Sequence, residues 1–221
     1  GNQSSAYSDF PDKVLIDNCT FENNGRNDIE IIYGKNIQVN NCKGDNSLDI
    51  EMNGNELVES ISVSGCSFRE FTPYSPSDIS GTCEISVTNS TFNRVSAQVG
   101  AHAKLSNCYI HSVGIYNANS TEFTTCAINK IDGMYGKSVP SFHNCQIYGL
   151  PTDGAASYNE GDKSVLRLNN SIIDLSFQGD NEHGSWGFDF RDSVVISRTK
   201  FSLIAKYFTD EKSVFHNVEF N

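Results

Sequence analysis

The chain has 221 residues and a mass of 24.4 kDa, and its 16 Lys and Arg stand against 27 Asp and Glu, a formal charge of −11. That balance repels a phosphate backbone over most of the surface and argues against nucleic acid as a partner. No window is apolar enough to span a bilayer and no basic-then-apolar secretion signal opens the sequence, so membrane insertion is not expected.

Residues 1–12, GNQSSAYSDFPD, form a polar lead-in, and residues 13–221 read as a single domain. Within it the stretch DIEIIYGKNIQVNNCKGDNSLDIEMNGNELVESISVSGCSF, from Asp28 to Phe68, states one pattern twice. Each copy runs Asp-Ile-Glu-apolar, a polar turn, Ile-x-Val, and then Asn-Asn-Cys or Ser-Gly-Cys. Alternation of apolar and polar residues over such short runs marks half-buried strands, and a repeated strand pair marks a stacked solenoid.

Taking the cysteine as the reference position, rungs fall at Cys19, Cys42, Cys66, Ser90, Cys108, Cys126, Cys145, Ser171, Thr199 and Val218. Three residues before each stands an apolar side chain, from Ile16 and Val39 through to Phe215. Two residues after each stands another, from Phe21 to Phe220, with Gly44 the exception. These two inward columns differ in parity, so one residue between them must leave the β conformation and turn a corner. Asn is the commonest residue just before the reference position, and it tolerates the left-handed region better than other non-glycine residues. A column of Asn at a corner is expected. Its ladder would make the sequons at Asn18 and Asn89 poor glycan acceptors, because the sugar would have to grow from inside the stack.

A second inward pair is expected in several coils: Ile29/Ile31, Ile50/Met52, Ile79 alone, Ala97/Val99, Val113/Ile115 and Phe188/Phe190. Coil length varies while strand phase stays constant, which a nearly fixed hexapeptide helix does not allow. The expected fold is all-β, a right-handed parallel β-helix of about ten coils, a rod of roughly 45–50 Å at about 4.8 Å per coil. Solenoid ends need cover, and neither terminus offers an amphipathic capping helix, so the sequence reads as a piece of a longer chain or one covered by partner subunits.

Six of the seven cysteines share one place in the repeat. They read as a buried column of small, soft side chains and not as a disulfide framework or a zinc site. Free thiols suit a chain folded in a reducing cytosol, as a virion component would be.

The motif apolar-x-apolar-x-Asn-Cys-x-Phe, together with LDIEMNGN at Leu48–Asn55, resembles the pectate-lyase-like right-handed β-helix superfamily of polysaccharide lyases, glycoside hydrolases and phage tailspikes. The resemblance covers nearly the whole chain. It implies a polysaccharide ligand, an extracellular or virion (phage tail) setting, and, since tailspike-like rods pack side by side, room for a homotrimer.

Two groups of residues are candidates for chemistry. Outward carboxylates are expected to stack as Asp28 over Asp49 and Glu30 over Glu51, with Asp78 extending the Asp column. Spacings of about 4.8 Å between coils and 6.6–7 Å along a strand bracket those used by retaining and inverting glycosidases. Clustered carboxylates raise one another's proton affinity, as a general acid requires. The same oxygens suit Ca2+, the one cofactor considered. Acidic outward positions also keep a parallel sheet soluble with no further role.

The second group lies in two long turns, Tyr148–Lys163 and Phe177–Asp189. Tyr158, Asp180, Glu182, His183, Trp186 and Asp189 there offer an aromatic plane flanked by polar groups, the chemistry that holds sugar rings. Trp186 packed back on the coil is the structural alternative. The other histidines, His102, His111, His143 and His216, sit singly in or beside strands and read as packing residues. The expected function is a polysaccharide-binding and polysaccharide-degrading β-helix, a hydrolase or lyase. The alternative is a non-catalytic tail or adhesin shaft that binds a cell-surface glycan.

Overall fold

The computed structural model describes residues 11–51, 58–74, 83–98, 102–116, 118, 121–135, 139–149, 165–174, 187–196 and 214–221. Strands are numbered in chain order. The first sheet takes β1 (Val14–Asp17), β4 (Ile37–Asn40), β7 (Ser60–Ser64), β9 (Glu84–Thr88) and β11 (His102–Ser106). It continues through β13 (Glu122–Thr124), β15 (Ser141–His143), β17 (Val165–Asn169), β19 (Gly187–Arg191) and β21 (Val214–His216) in that spatial order. The second sheet starts with β2 (Thr20–Phe21) and β5 (Lys43–Gly44), then β8 (Ser67–Tyr74), β10 (Thr91–Ala97), β12 (Tyr109–Tyr116) and β14 (Ala127–Tyr135). It ends with β16 (Gln146–Ile147), β18 (Ile172–Asp174), β20 (Val194–Ile196) and β22 (Glu219–Phe220). β3 (Asn27–Ile31) and β6 (Ser47–Glu51) pair with each other, and β6 pairs with the later half of β8.

Every pairing is parallel and joins successive coils, so the chain is an all-β parallel solenoid with no helix among the described residues. The later halves of β8, β10, β12 and β14 turn a corner and continue β3 and β6 as a third face. Among the described residues six coils carry all three faces as strand, which makes about six full turns and not the ten expected.

The corner lies where parity demands it. Asn18, Asn41, Gly65, Asn89, Asn107, Thr125, Asn144, Asn170, Asp192 and Asn217 all have positive φ, between 47 and 64°. Their backbone N–H groups donate to the coil above, as from Asn41 to Ser64 O at 2.8 Å and from Asn170 to Arg191 O at 3.0 Å. Side-chain amides link some corners, Asn170 Nδ2 donating to Asn144 Oδ1 at 2.6 Å and Asn217 Nδ2 to Asp192 Oδ1 at 2.8 Å. The corner faces outward: Asn18 and Asn89 are exposed, so the expectation that a glycan there would grow from inside the stack is corrected.

The run of positive φ also corrects the ninth rung. It sits at Ser193, 22 residues after Ser171, and not at Thr199. Phe190 therefore belongs to the first face opposite Leu168, and Val195 to the second opposite Ile173.

Among the described residues the bore is lined mainly by apolar side chains. Val39, Val63, Val87, Leu105, Phe123, Phe142, Leu168 and Phe190 stack as one buried column, with the Phe123 and Phe142 rings parallel at 4.7 Å. On the third face the inward pairs are Ile29/Ile31, Leu48/Ile50, Phe71/Pro73, Val95/Ala97 and Val113/Ile115. Of the expected Ile50/Met52 and Ala97/Val99 pairs, Ile50 and Ala97 face inward as expected, and Met52 and Val99 lie outside the described residues. Ile79 and Asp78 lie outside the described residues, and Thr72 holds the place next to Asp49 that Asp78 was expected to take.

All seven cysteines are free thiols, six of them buried. The column at the reference position is a hydrogen-bonded ladder of thiols and hydroxyls. Cys66 Sγ donates to Ser64 O (3.3 Å) and Ser90 Oγ to Thr88 O (2.8 Å), while Cys66 N–H donates to Ser90 Oγ at 3.1 Å. Ser171 and Ser193 repeat the arrangement. Burial pushes the Cys42 and Cys66 thiols up, and Cys83, outside the column, to about 12. They are inert in the sense that matters for nucleophiles.

Candidate functional site: an acidic cluster on the third face

β3 and β6 form because Ile29, Ile31, Leu48 and Ile50 alternate with polar residues, and the alternation leaves Glu30, Asp49 and Glu51 on the outer surface. The register is not the expected one. Glu30 stands opposite Asp49, and a bulge between Asn27 and Ile29 displaces Asp28 from the ladder. A bulge inserts one unpaired residue and re-aims its side chain.

Asp28 is turned to a structural task. Its Oδ2 accepts from Asn46 N at 2.7 Å and its Oδ1 from Asn24 Nδ2 at 2.8 Å. It lies against Gly44, where an added Cβ would collide with Asp28 Oδ2 and come within 2.7 Å of the Phe68 ring. Gly44 is thus the one gap in its apolar column because Asp28 and Phe68 fill the room a side chain would take.

Glu30, Asp49 and Glu51 are brought together. Asn27 joins two of them, its Nδ2 lying 3.3 Å from Asp49 Oδ2 and 3.4 Å from Glu30 Oε2. Ser47, opposite Asn27 in the ladder, donates its hydroxyl to Asn27 Oδ1 at 2.7 Å and so fixes which end of the amide faces the carboxylates. Glu51 meets Arg26, Nη2 to Oε2 at 3.7 Å. Burial first, then the negative charges of Glu51 and Glu30, push the half-buried Asp49 carboxyl above the ordinary aspartate value; Arg26 and the Asn27 amide oppose the shift without reversing it. One coil on, Thr72 follows Asp49 and Tyr74 follows Glu51. Among the described residues no group of three or more His, Cys, Asp or Glu is arranged to hold a metal ion.

Of the second candidate group, Tyr158, Asp180, Glu182, His183 and Trp186 lie outside the described residues. Asp189 stands in β19, not in a turn. Its carboxylate takes Arg191 Nε at 2.9 Å and Nη2 at 3.4 Å, with Arg167 Nε of the preceding coil 4.0 Å away. It is a member of a surface ion-pair group on the first sheet.

Sequence reasoning missed Asn27, Ser47 and Tyr74. The signal was available for the first two, since Asn27 and Ser47 open the strands DIEI and LDIE that were recognised as one repeat. Tyr74 was hidden behind Pro73, which breaks the look of a strand.

No family model, no curated protein and no solved structure matches the chain.

Proposed function

We propose that this chain is a right-handed, pectate-lyase-like β-helix that holds a polysaccharide against its third face and cleaves it at Glu30, Asp49 and Glu51, in an extracellular or virion-borne setting. What supports the right hand is the general preference of parallel crossover connections for it. The observation that carries the chemistry is Asp49, half-buried between two further carboxylates with its carboxyl pushed up.

A carboxyl whose proton affinity is raised is the one of the three best suited to act as general acid and protonate the oxygen of the departing sugar. Glu30 is its neighbour across the coil, about 4.8 Å away by ladder spacing, and Glu51 its neighbour along the strand at about 6.6–7 Å. Either spacing lets a second carboxylate act from another direction on the same anomeric carbon, as nucleophile or as base for a water. Tyr74, adjacent to Glu51, supplies a ring face for the C–H side of a sugar. Asp28 braces the turn that presents the cluster.

The test is release of reducing ends, and of unsaturated products by absorbance, across a panel of bacterial and plant glycans. Asp49→Asn is expected to lower turnover by about 100-fold or more on any glycan the wild type cleaves, the scale of a lost general acid. Unchanged turnover in that variant removes the cluster from the mechanism. Glycan binding without turnover anywhere on the panel replaces this reading with the non-catalytic shaft.

A further inference from the structure

The second sheet carries, one corner away from the acidic cluster of the third face, a column that differs from it in chemistry. Tyr109, Ala127, Gln146, Ile172 and Val194 succeed one another in strict register from β12 to β20. None is charged, in a chain of net charge −11. Tyr109 is 47% exposed and Ile172 38%, and Tyr148, just beyond β16, is 42% exposed.

The aromatic side chains are held in place by amides. Asn129 Nδ2 donates to Tyr109 Oη at 3.0 Å and lies 3.0 Å from His111 Nδ1, which places the imidazole nitrogen as the acceptor. Tyr148 Oη donates to Gln146 Oε1 at 3.0 Å. Each bond orients one group and leaves further valences out of it: the Tyr109 hydroxyl hydrogen, Asn129 Oδ1 and the Gln146 amide hydrogens take no part in these bonds. Donors and acceptors in alternation match hydroxyl groups, which are both at once. Rings already fixed by hydrogen bonds lose little freedom on binding.

Spacing sets the direction of the ligand. Tyr109 and Gln146 are two ladder steps apart, about 10 Å. With Tyr148 bonded to Gln146, the two tyrosines lie along the solenoid axis and not around it, so an occupant must be extended and must offer an apolar face at intervals.

We propose that Tyr109, Asn129, Gln146, Tyr148 and Ile172 form a second glycan-holding surface, for a neutral polysaccharide lying along the solenoid axis. The absence of charge in this column argues against uronates and sulfated sugars, which would lose their hydration there, and the cation at its edge, Lys130 beside Gly149, is already paired with Asp132 at 2.7 Å. The proposal rests on the reading that the ligand is a polysaccharide, and not on cleavage at Asp49. Its role is to retain a long chain while another part of it is worked on.

The experiment is retardation in native gels containing hydroxyethylcellulose, dextran or galactomannan, with polygalacturonate as the charged comparison. Wild type, Asp49→Asn and the double variant Tyr109→Ala/Tyr148→Ala are run side by side, with thermal unfolding and native mass measured for each. The wild type is expected to be retarded by a neutral polymer, Asp49→Asn equally, and the double variant about tenfold less, as the loss of two ring contacts implies. Should the double variant fail to fold, Ile172→Asp places a charge on the same face and is expected to weaken retardation alike. Equal retardation of wild type and the folded face variant overturns this surface and leaves the polysaccharide reading in place. Retardation by polygalacturonate alone overturns the neutral ligand. Retardation by no polymer overturns both proposals, and a dimer that the face substitutions dissolve overturns this one in favour of contact between copies of the chain.

Discussion

Gly44 shows how much one position can depend on its neighbours. Nothing in its φ requires glycine; the space does, since Asp28 and the Phe68 ring occupy it. Gly44→Ala forces one of them aside and is expected to cost about 1–3 kcal/mol, the usual penalty of overpacking. Combining it with Asp28→Ala returns part of that loss, a non-additivity that urea titration of the two single variants and the double variant would measure. Asp49 makes a different prediction. The folded chain holds its proton more tightly than the unfolded chain, whose aspartate titrates at about 3.9. Stability therefore falls as pH rises from that value through the higher folded one, and Asp49→Asn flattens the fall. The urea midpoint followed across that range in both proteins is the measurement, and parallel curves would deny the shift.

The strand ladder explains why only Cys and Ser stand at the reference position in the inner rungs. The site needs a small side chain that donates to the carbonyl two residues back and accepts an N–H from the preceding rung. Cys66→Ser is expected to be tolerated, and Cys66→Val to cost about 1–3 kcal/mol by leaving the Cys42 N–H and the Ser64 carbonyl short of a partner. At the corner, Asn144→Gly is expected to be near neutral and Asn144→Ala to cost about 1–2 kcal/mol, because alanine pays the left-handed penalty that asparagine softens. Much of this was legible in the sequence. The parity break between the inward columns demanded a left-handed corner, and the structure has one at every rung. The ninth rung was not legible, because Asp192-Ser193 replaces Asn-Cys there while SRTKF a few residues later imitates the phase. The third face was legible at Ile29/Ile31 and Val113/Ile115 but not in the third coil, where Pro73 sits opposite Ile50 inside a strand, a residue that normally demotes a run to edge or loop. The bulge at Asp28 also left no mark in the pattern, since Asp-Ile-Glu in both coils invites alignment in phase, and the resulting two-residue difference in register put Glu30 opposite Asp49 instead of Glu51.

For the molecule as a whole, winding turns short repeats into columns, so that residues some 20 positions apart become neighbours at every level. The ten rungs of the first sheet span about 43 Å. Different faces of such a rod are free to carry different chemistry: an acidic cluster at β3 and β6, and an uncharged aromatic and amide column from β12 to β20. Both depend on register, and the acidic cluster on one pairing in particular, Glu30 with Asp49. Carbon-detected NMR titration of the Asp and Glu carboxyls reads that pairing without any substrate. The account predicts that Asp49 titrates above ordinary aspartate and moves back down in Glu51→Gln and in Glu30→Gln. An Asp49 that titrates at the ordinary value and ignores both substitutions would contradict it.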